Sequence, residues 1–364
     1  MATAIQSRAI SPAPNRSAND QMADADTPLI RDCWYVAAFG SEIGRGLLSR
    51  RILGTQVVLY RTESGEPIAL HDRCPHRSLP LSKGCLEGDA VRCGYHGLLF
   101  DRDGACVEAP PVGKPPRAMR VSPYPLVERG PLLWIWMGDG PASIDAIPDT
   151  AWLADPAWAY ASGQMTIDSN YVGLQENLLD LTHFTFLHPG NVGTPEYASA
   201  PYQVSTHENV VRVDRFVENC AVPGIYASTG LGEKRISRRT TSEFVSPALH
   251  SAWVDLTDLT PAPGKRAVFK VRVTHFVTPR DLNGTHYFFA IARDFALDDE
   301  SATQAMGAGA MQAFREDAEA LEAITAIQNS EPAFVEMSMK SDQAGVQMRR
   351  ILKNLASNQV GGGA

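Results

Sequence analysis

The feature that most constrains this chain of 364 residues is a pair of short segments that each combine a cysteine with a histidine. The first reads C-P-H at residues 74–76 and the second reads C-G-Y-H at residues 93–96. Sixteen residues separate the two segments. Thiolate and imidazole groups are metal ligands, so two such loops side by side offer two sulfur and two nitrogen donors. The pattern therefore predicts a metal site that is shared between two loops.

Two cysteines and two histidines in paired loops are the ligands of a Rieske [2Fe–2S] cluster. We expect Cys74 and Cys93 to bind one iron, and His76 and His96 to bind the other. Neutral imidazoles in place of two thiolates raise the reduction potential above that of all-cysteine clusters. A zinc ion on the same four ligands is the alternative. Classical zinc fingers group the two cysteines together and the two histidines together, so the mixed pairs favour the iron–sulfur cluster.

Composition indicates a globular protein with more than one domain. The length predicts two or three domains, and hydrophobic residues make up 44% of the chain. The net charge of −8 and the lack of a Lys/Arg run argue against a nucleic-acid partner. No window approaches the run of about eighteen apolar residues that a membrane helix needs, so we expect no membrane partner.

The remaining cysteines and the chain termini favour a cytoplasmic location. A chain of this length does not need disulfides to stabilise its fold, so we expect reduced thiols at Cys33, Cys85, Cys106 and Cys220. Residues 1–27 are rich in Ala, Ser, Asn, Asp and Pro, without the apolar segment of a secretory signal. We expect this segment to be a disordered tail.

Residues 28–144 carry short strand patterns separated by turns and predict an all-β domain that holds both Cys/His segments. Strands are expected at 51–61, 67–71, 98–101, 105–108 and 132–137. A G-D-G-P run at 138–141, followed by further prolines, predicts the domain boundary.

The second domain is expected over residues 145–355, followed by a flexible C-terminus at 356–364. Its patterns predict a helix at 170–188 and a long helix at 303–329, with a hairpin turn at Asn283-Gly284. Strands are expected at 209–217, 234–245, 250–257, 266–278 and 285–293. Strands followed by helices that pack on one face are typical of an α+β fold built on an antiparallel sheet.

Two histidines five residues apart, His183 and His188, predict a second metal site. On a continuous helix they would point about 140° apart. The residue before Pro189 is pushed out of the α region, so the helix must end at His188, whose ring can then swing back beside His183. Asp180, three residues before His183, would share its helical face. A pair of core histidines with structural polar contacts is the alternative.

Two imidazoles and one carboxylate are the ligands of non-haem Fe(II) oxygenases, and Asp317 is the expected carboxylate. On the long C-terminal helix, Phe314 and Leu321 belong to an apolar stripe, and Asp317 is the one acidic residue on that stripe. A carboxylate buried there is costly unless it is paired or bound to a metal. We therefore expect His183, His188 and Asp317 to bind a mononuclear Fe(II).

These motifs resemble those of the Rieske non-haem iron oxygenases over nearly the whole chain after residue 27. Residues 177–188 match the family's iron motif N-x-x-D-x-x-H-x4-H. The acidic segment around Asp317 resembles the E-D-x3-(L/V)-E-A segment of the vanillate O-demethylase and dicamba monooxygenase group. The resemblance implies a helix-grip-like antiparallel catalytic domain with helices, and a homotrimer.

The resemblance also implies roles for two further residues. Asp180 would connect a cluster histidine of the neighbouring subunit to His183. Asn177 would lie near the iron, with a helix-surface or interface amide as the alternative. Both are candidate catalytic residues.

The resemblance implies the oxygenase component of a multicomponent monooxygenase that uses O2 and the electrons of NAD(P)H. A separate reductase or ferredoxin is the expected partner, because we find no plant-type cluster motif and no glycine fingerprint for a flavin or nicotinamide. The expected reaction is O- or N-demethylation of a small aromatic compound, with release of formaldehyde. Alternatives are methyl or ring hydroxylation, cis-dihydroxylation of an arene, and a pure Rieske electron-transfer protein. Candidates for the substrate pocket, by location only, are Phe184, Phe186, His250, Trp253, His286 and Phe288.

Overall fold

The computed structural model describes residues 29–110 and 112–360. The tail that we expect to be disordered, residues 1–27, lies outside the described residues. The N-terminal part is built from short antiparallel strands, as predicted. In chain order these are β1 (Trp34–Phe39), β2 (Leu48–Ile52), β3 (Thr55–Arg61), β4 (Pro67–His71), β5 (Cys85–Glu87), β6 (Ala90–Arg92), β7 (Leu99–Phe100), β8 (Cys106–Glu108), β9 (Leu126–Arg129) and β10 (Leu132–Trp136). They form three small sheets, with the orders β1-β10-β9, β2-β3-β4 and β5-β6-β7-β8.

The region 51–61 forms parts of two strands, so the prediction of one strand was wrong. β2 and β3 meet at the turn Leu53-Gly54, where φ is 46° and 78°. The N–H groups of Leu53 and Gly54 donate to the carbonyls of Pro279 and Arg280, far away in the sequence. Leu-Gly is not one of the usual dipeptides of a two-residue hairpin. The turn is held by contacts from a distant strand, and a local pattern cannot report those contacts.

The C-terminal part contains a seven-stranded antiparallel sheet and helices. The strands are β11 (Ala159–Ile167), β12 (Tyr202–His207), β13 (Val210–Cys220), β14 (Ile236–Ser246), β15 (Leu249–Asp258), β16 (Val268–Asp281) and β17 (Gly284–Arg293). The helices are α1 (Tyr171–Leu179), α2 (Phe184–Leu187), α3 (Glu300–Ser330) and α4 (Gln343–Val360). The sheet order is β11-β17-β16-β15-β14-β13-β12.

The strands predicted between 209 and 293 and the long helix are present, whereas β11, β12 and α4 were not predicted. Helix α4 continues to Val360. The expectation of a flexible C-terminus from residue 356 was therefore wrong for residues 356–360, which are helical. The domain limits 28–144 and 145–355 remain predictions. Within the described ranges, no helix is long and apolar enough to cross a bilayer.

The large sheet separates two hydrophobic cores, because side chains alternate along each strand. On β17, Tyr287, Phe289 and Ile291 pack with residues of α1, α3 and α4. Phe288 and Ala290 point to the other face and pack with tryptophans of β1 and β10. One face of the sheet thus carries the helices, and the other carries the N-terminal part. The side chains of His183, His188 and Asp317 lie on the helical face.

Candidate metal centres and active site

The two Cys/His loops have matching backbone hydrogen bonds. In each loop, the cysteine N–H donates to the carbonyl five residues later, and the cysteine carbonyl accepts from the N–H four residues later. These partners are Leu79 and Ser78 for Cys74, and Leu98 and Gly97 for Cys93. Ser78 and Gly97 both have a positive φ, 61° and 71°. The two loops are therefore near copies that present their donors in the same way.

The four expected cluster ligands form two pairs, with the thiols buried and the imidazoles nearer the surface. Cys74 and Cys93 are 2% and 1% exposed. Burial raises the pKa of the Cys74 thiol, and the hydrogen bond with the Cys93 thiol raises it further. The ring centroids of His76 and His96 are 4.5 Å apart, and Tyr95 lies 3.9 Å from His96 on the outer side. The histidine edge of the site therefore faces the surface.

These donors fit a two-iron cluster better than a single zinc ion. The ligands of one tetrahedral zinc lie within about 4 Å of one another. In the described part of the chain, only His183, His188 and Asp317 form a group of three or more potential ligands within 4.8 Å of one another. The four loop donors thus do not converge on one point. Two cysteines on one side and two histidines on the other match the two irons of a Rieske cluster.

The segment 170–188 is broken, so the prediction of one helix was wrong. Helix α1 ends before Asp180, where φ is −86° and ψ is 102°. The Asp180 carboxylate accepts hydrogen bonds from the N–H and hydroxyl of Thr182, at 2.7 and 2.6 Å. Such side-chain bonds compete with helical ones. His183 precedes α2 and His188 follows it, so Asp180 and His183 do not share a helical face.

The structure brings His183, His188 and Asp317 together. Oδ1 of Asp317 lies 3.4 Å from Nε2 of His183 and 3.1 Å from Nε2 of His188. Asn177 donates to the same oxygen at 2.9 Å. Asp317 is 5% exposed, in agreement with its predicted place on the apolar stripe. Burial alone would raise the pKa of Asp317, but the hydrogen bonds and charges of the two histidines outweigh burial and lower it.

Glu316 contacts this group and was not predicted. Its Oε2 lies 2.6 Å from Nδ1 of His188, and Gln312 donates to its other oxygen at 3.0 Å. Burial alone would lower the pKa of His188, but Asp317 and Glu316 together raise it. Glu316 lies outside the apolar stripe of α3, and only the packing of the helix brings its carboxylate against His188. Its position next to Asp317 was the one available signal.

A mostly apolar cavity lies beside the three clustered side chains. Its walls come from the helical face of β14–β17, from the segment after α1 and from α3, and they include Leu181, Phe184, Ile225, Val254, Ile291 and Phe314. Among its polar groups are Arg238, Thr240 and His275, all buried. Burial lowers the pKa of His275 to about 3, so this ring is neutral at neutral pH. The cavity can therefore hold an aromatic ring next to a metal site.

Phe184 is the one predicted pocket residue that lines this cavity. Of the other five, His250 is buried behind the cavity wall, and Trp253 lies on the opposite face of the sheet. His286 and Phe288 lie between the two parts of the chain. Phe186 is exposed at the surface. Strand patterns show alternation but not which face meets a cavity. For this reason the sequence also missed Arg238 and His275.

A second groove leads from the surface to His183. Asn177 and Asp180 line it, together with residues of the loop between α3 and α4, including Met337 and Met339. These two methionines are 86% and 69% exposed. In the described structure Asp180 bonds to Thr182, and no hydrogen bond joins it to His183.

Comparison with known proteins gives a match for each part of the chain. Residues 33–125 match the Rieske [2Fe-2S] domain, and residues 167–358 match the vanillate O-demethylase oxygenase C-terminal domain. The chain is 37% identical to the toluene-4-sulfonate monooxygenase system iron-sulfur subunit of Comamonas testosteroni, over 92% of this chain and 99% of that protein. It is 33% identical to the dicamba O-demethylase oxygenase component of Stenotrophomonas maltophilia, over 90% and 97%. A crystal structure of dicamba monooxygenase bound to dicamba matches with a TM-score of 0.83 at 30% identity, over 92% of this chain and 99% of that one.

These matches confirm the predicted resemblance and the α+β architecture, and they exclude a pure electron-transfer protein. The cofactors are a Rieske [2Fe–2S] cluster and a mononuclear Fe(II). The donor sets of the two sites fit these groups. The chain belongs to the Rieske non-haem iron oxygenases, as a monooxygenase with a C-terminal domain of the vanillate O-demethylase type.

Proposed function

We propose that this oxygenase removes an O- or N-methyl group from a small aromatic compound and releases formaldehyde. The observation that carries the proposal is the apolar cavity beside His183, His188 and Asp317. Several relatives are named for O-demethylation, among them one of dicamba and one of vanillate. Breakdown of aromatic compounds is the corresponding biological role.

Hydroxylation of a ring methyl group is the second candidate. It is favoured by the relative that is named for toluene-4-sulfonate, because the methyl group of that compound is bonded to a ring carbon. Oxygenation there gives an alcohol and no formaldehyde. Ring hydroxylation and cis-dihydroxylation of an arene have no comparable support.

We assign His183, His188 and Asp317 as the ligands of the mononuclear iron. When bound, the iron supplies the chemistry that activates O2. Glu316 holds the proton on Nδ1 of His188, which leaves Nε2 as the ligand atom. Asn177 donates to Oδ1 of Asp317 and thereby orients the carboxylate. The apolar walls of the cavity keep bulk water away from the reacting carbon.

We assign the Rieske cluster to the two matching loops, with Cys74 and Cys93 on one iron and His76 and His96 on the other. The buried thiols would face the protein core, and the imidazoles would face the surface. When bound, the cluster supplies electrons. The exposed ring of Tyr95 packs against His96 at an angle of 37°, with 3.9 Å between the ring centroids.

A second copy of the chain is the proposed occupant of the groove that leads to His183, within a homotrimer. Met337 and Met339 place exposed apolar area at the groove, and such area is typical of interaction surfaces. Asp180 uses Oδ1 for its bonds to Thr182. Its other oxygen is available to accept a hydrogen bond from a cluster histidine of the neighbouring subunit, which would link that cluster to His183.

A separate NAD(P)H-dependent reductase or ferredoxin is the proposed electron donor. The relatives are named as the oxygenase component or iron-sulfur subunit of larger systems. We propose a cytoplasmic location. None of the six cysteines forms a disulfide, and reduced thiols are typical of cytosolic proteins.

Oxygen uptake coupled to formaldehyde release tests the proposal. The reconstituted protein, with a ferredoxin-type reductase and NADH, is offered methoxy-, N-methyl- and methyl-substituted aromatic compounds. Demethylation predicts one formaldehyde for each O2 consumed. An alcohol without formaldehyde would favour hydroxylation instead. His183→Ala should abolish turnover and leave the absorption of the Rieske cluster unchanged, whereas His207→Ala, at an exposed site on β12, should alter neither. Full activity in the His183 variant would overturn the assignment.

A further inference from the structure

Arg238 places a buried positive charge at the wall of the active-site cavity. It lies on β14, is 1% exposed, and lines the same cavity as His183 and Asp317. Its neighbours on the same face of the strand, Thr240 and Ser242, are also polar and buried. Within the described ranges, no carboxylate forms an ion pair with Arg238. A buried charge of this kind is unusual, because charges in protein interiors are normally paired.

The guanidinium group is held firmly, and one of its nitrogens lacks a partner. Nε donates to the hydroxyl of Thr240 at 3.1 Å, and Nη1 donates to the carbonyl of Val192 at 2.7 Å. The rings of Tyr197 and Tyr226 lie 4.7 and 5.4 Å from the guanidinium carbon. Nη2 is buried and, among the residues that the structure describes, has no hydrogen-bond acceptor. With the ring of Phe184, 5.8 Å from the same carbon, two bonds and three rings thus fix the group and leave the third nitrogen available to a ligand.

The hydrogen-bond partners and ring neighbours of Arg238 in the described part of the chain are neutral, so they do not balance its charge. An anionic group of a bound ligand would supply the missing counter-charge and accept the bond that Nη2 can donate. Most of the other walls of the cavity are apolar and suit an aromatic ring, with Phe184 and Phe314 among them. The ligand best matched to this cavity therefore has an aromatic body and an anionic end.

We propose that the substrate is an aromatic anion, either a carboxylate or a sulfonate, and that Arg238 binds its anionic group. This inference rests on the proposed function, because it assigns a substrate class to the same cavity. The ring lies in the apolar part, and the carbon that is oxidised lies toward His183, His188 and Asp317. Arg238 thereby selects the substrate and fixes which end of it faces the metal site.

Arg215 provides a matched control. It is 3% exposed, lies on the neighbouring strand β13, and packs on the same Tyr197 ring, at 4.8 Å. Its Nη2 donates to the carbonyl of Ala198, and it is not among the residues that line the cavity. Arg215→Met and Arg238→Met therefore remove similar buried charges, but only the second removes one from the cavity.

The test is calorimetric binding to the holoenzyme without reductant, so that no turnover occurs. The probes are p-toluate, p-toluenesulfonate, the neutral isostere p-toluamide, and inorganic sulfate. We expect one of the two aromatic anions to bind at least about tenfold more tightly than the amide, and the comparison between them identifies the preferred anionic group. Arg238→Met should weaken binding of that anion by about 10- to 100-fold and change amide binding little, whereas Arg215→Met should change neither.

Equal binding of anions and amide by the unmodified protein would overturn the proposal, and this comparison needs no variant. Unchanged anion binding in Arg238→Met would also overturn it. If that variant does not fold, Arg238→Lys keeps the charge and should retain part of the preference for the anion. Binding of sulfate as tightly as the aromatic anions would show an anion site without substrate selectivity and would also contradict the proposal.

The binding assay separates this inference from the proposed reaction. Selective, Arg238-dependent binding of an aromatic anion without O2 uptake would leave the inference standing and overturn the reaction. Oxygenation of neutral aromatic compounds, with the same kcat/KM in Arg238→Met as in the unmodified protein, would overturn the inference and leave the proposed reaction standing.

Discussion

Glu316 accepts a hydrogen bond from Nδ1 of His188, with 2.6 Å between the two atoms. Nε2, on the other side of the same ring, lies 3.1 Å from Oδ1 of Asp317. Two consecutive acidic residues of α3 therefore hold opposite sides of one imidazole. A carboxylate on the outer nitrogen fixes the tautomer and makes the inner nitrogen a stronger metal ligand.

We predict that Glu316→Ala weakens iron binding by about 10- to 100-fold, because the His188 ring loses the partner that orients it. The measurement is iron content after competition with a chelator. The absorption of the Rieske cluster should not change. Glu319→Ala, at an exposed position of the same helix, is the control and should bind iron normally. Equal iron retention in the two variants would show that Glu316 has no part in the site.

We predict that Asp180→Asn slows turnover by about 10- to 100-fold while both metal sites stay filled. The physical reason is the loss of the carboxylate that would join the neighbouring subunit's cluster to His183. Rapid mixing should show normal reduction of the cluster by the reductase but slow reoxidation in the presence of substrate and O2. Asp342→Asn, at another acidic residue of the same groove, should behave normally. Fast reoxidation in Asp180→Asn would contradict the proposed electron route.

We predict that Gly193→Ala destabilises the protein by about 1–3 kcal/mol and lowers its iron content. A Cβ at this position would overlap the carbonyl of Phe184 in α2. Gly193 also donates its N–H to the carbonyl of His188 at 3.0 Å, so relief of the overlap moves the ligand segment. Melting temperature and iron content are the measurements. At Gly46 an added Cβ would meet nothing within 4 Å, so Gly46→Ala should leave both unchanged.

We predict a loss of stability in mild acid that depends on His286. Burial, followed by the charges of Arg50 and Arg280, lowers the pKa of His286 from 6.5 to about 4, against the opposing effect of its 2.9 Å bond to the carbonyl of Arg51. The unfolded chain therefore binds a proton between pH 6.5 and 4 that the folded chain does not. Stability is full above pH 6.5 and falls as the pH drops toward 4.

The loss attributable to His286 amounts to as much as about 2 kcal/mol at pH 5. His286→Gln keeps a donor for the Arg51 carbonyl but does not titrate, so its melting temperature should fall less between pH 7 and pH 5 than that of the unmodified protein. His207→Ala removes an exposed histidine and should leave the fall unchanged. The same fall in His286→Gln as in the unmodified protein would refute the prediction.

The strands that were predicted and those that were missed differ in where their hydrogen bonds come from. β13 to β17 carry strong alternating patterns and could be identified locally. β11 contains a glycine and few large apolar residues, and it is a strand because it pairs with β17 along its whole length, from Ala159 to Ile167. β12 is a mostly exposed edge strand that pairs with β13. β11 therefore depends on a partner strand that is distant in sequence, and β12 depends on the adjacent β13, for order that their own residues do not specify.

In the candidate site, too, some features follow from the sequence and others only from the tertiary structure. The sequence by itself determined which residues can bind the metals, because ligand chemistry depends on residue type and close spacing, as in His183 and His188. The tertiary structure decided that Glu316 reaches His188 and that Arg238 lines the cavity. The sequence of a strand or helix shows which residues share a face, but not what that face packs against. Only the packing of β14 and α3 against distant segments determines which face is buried beside the metal site.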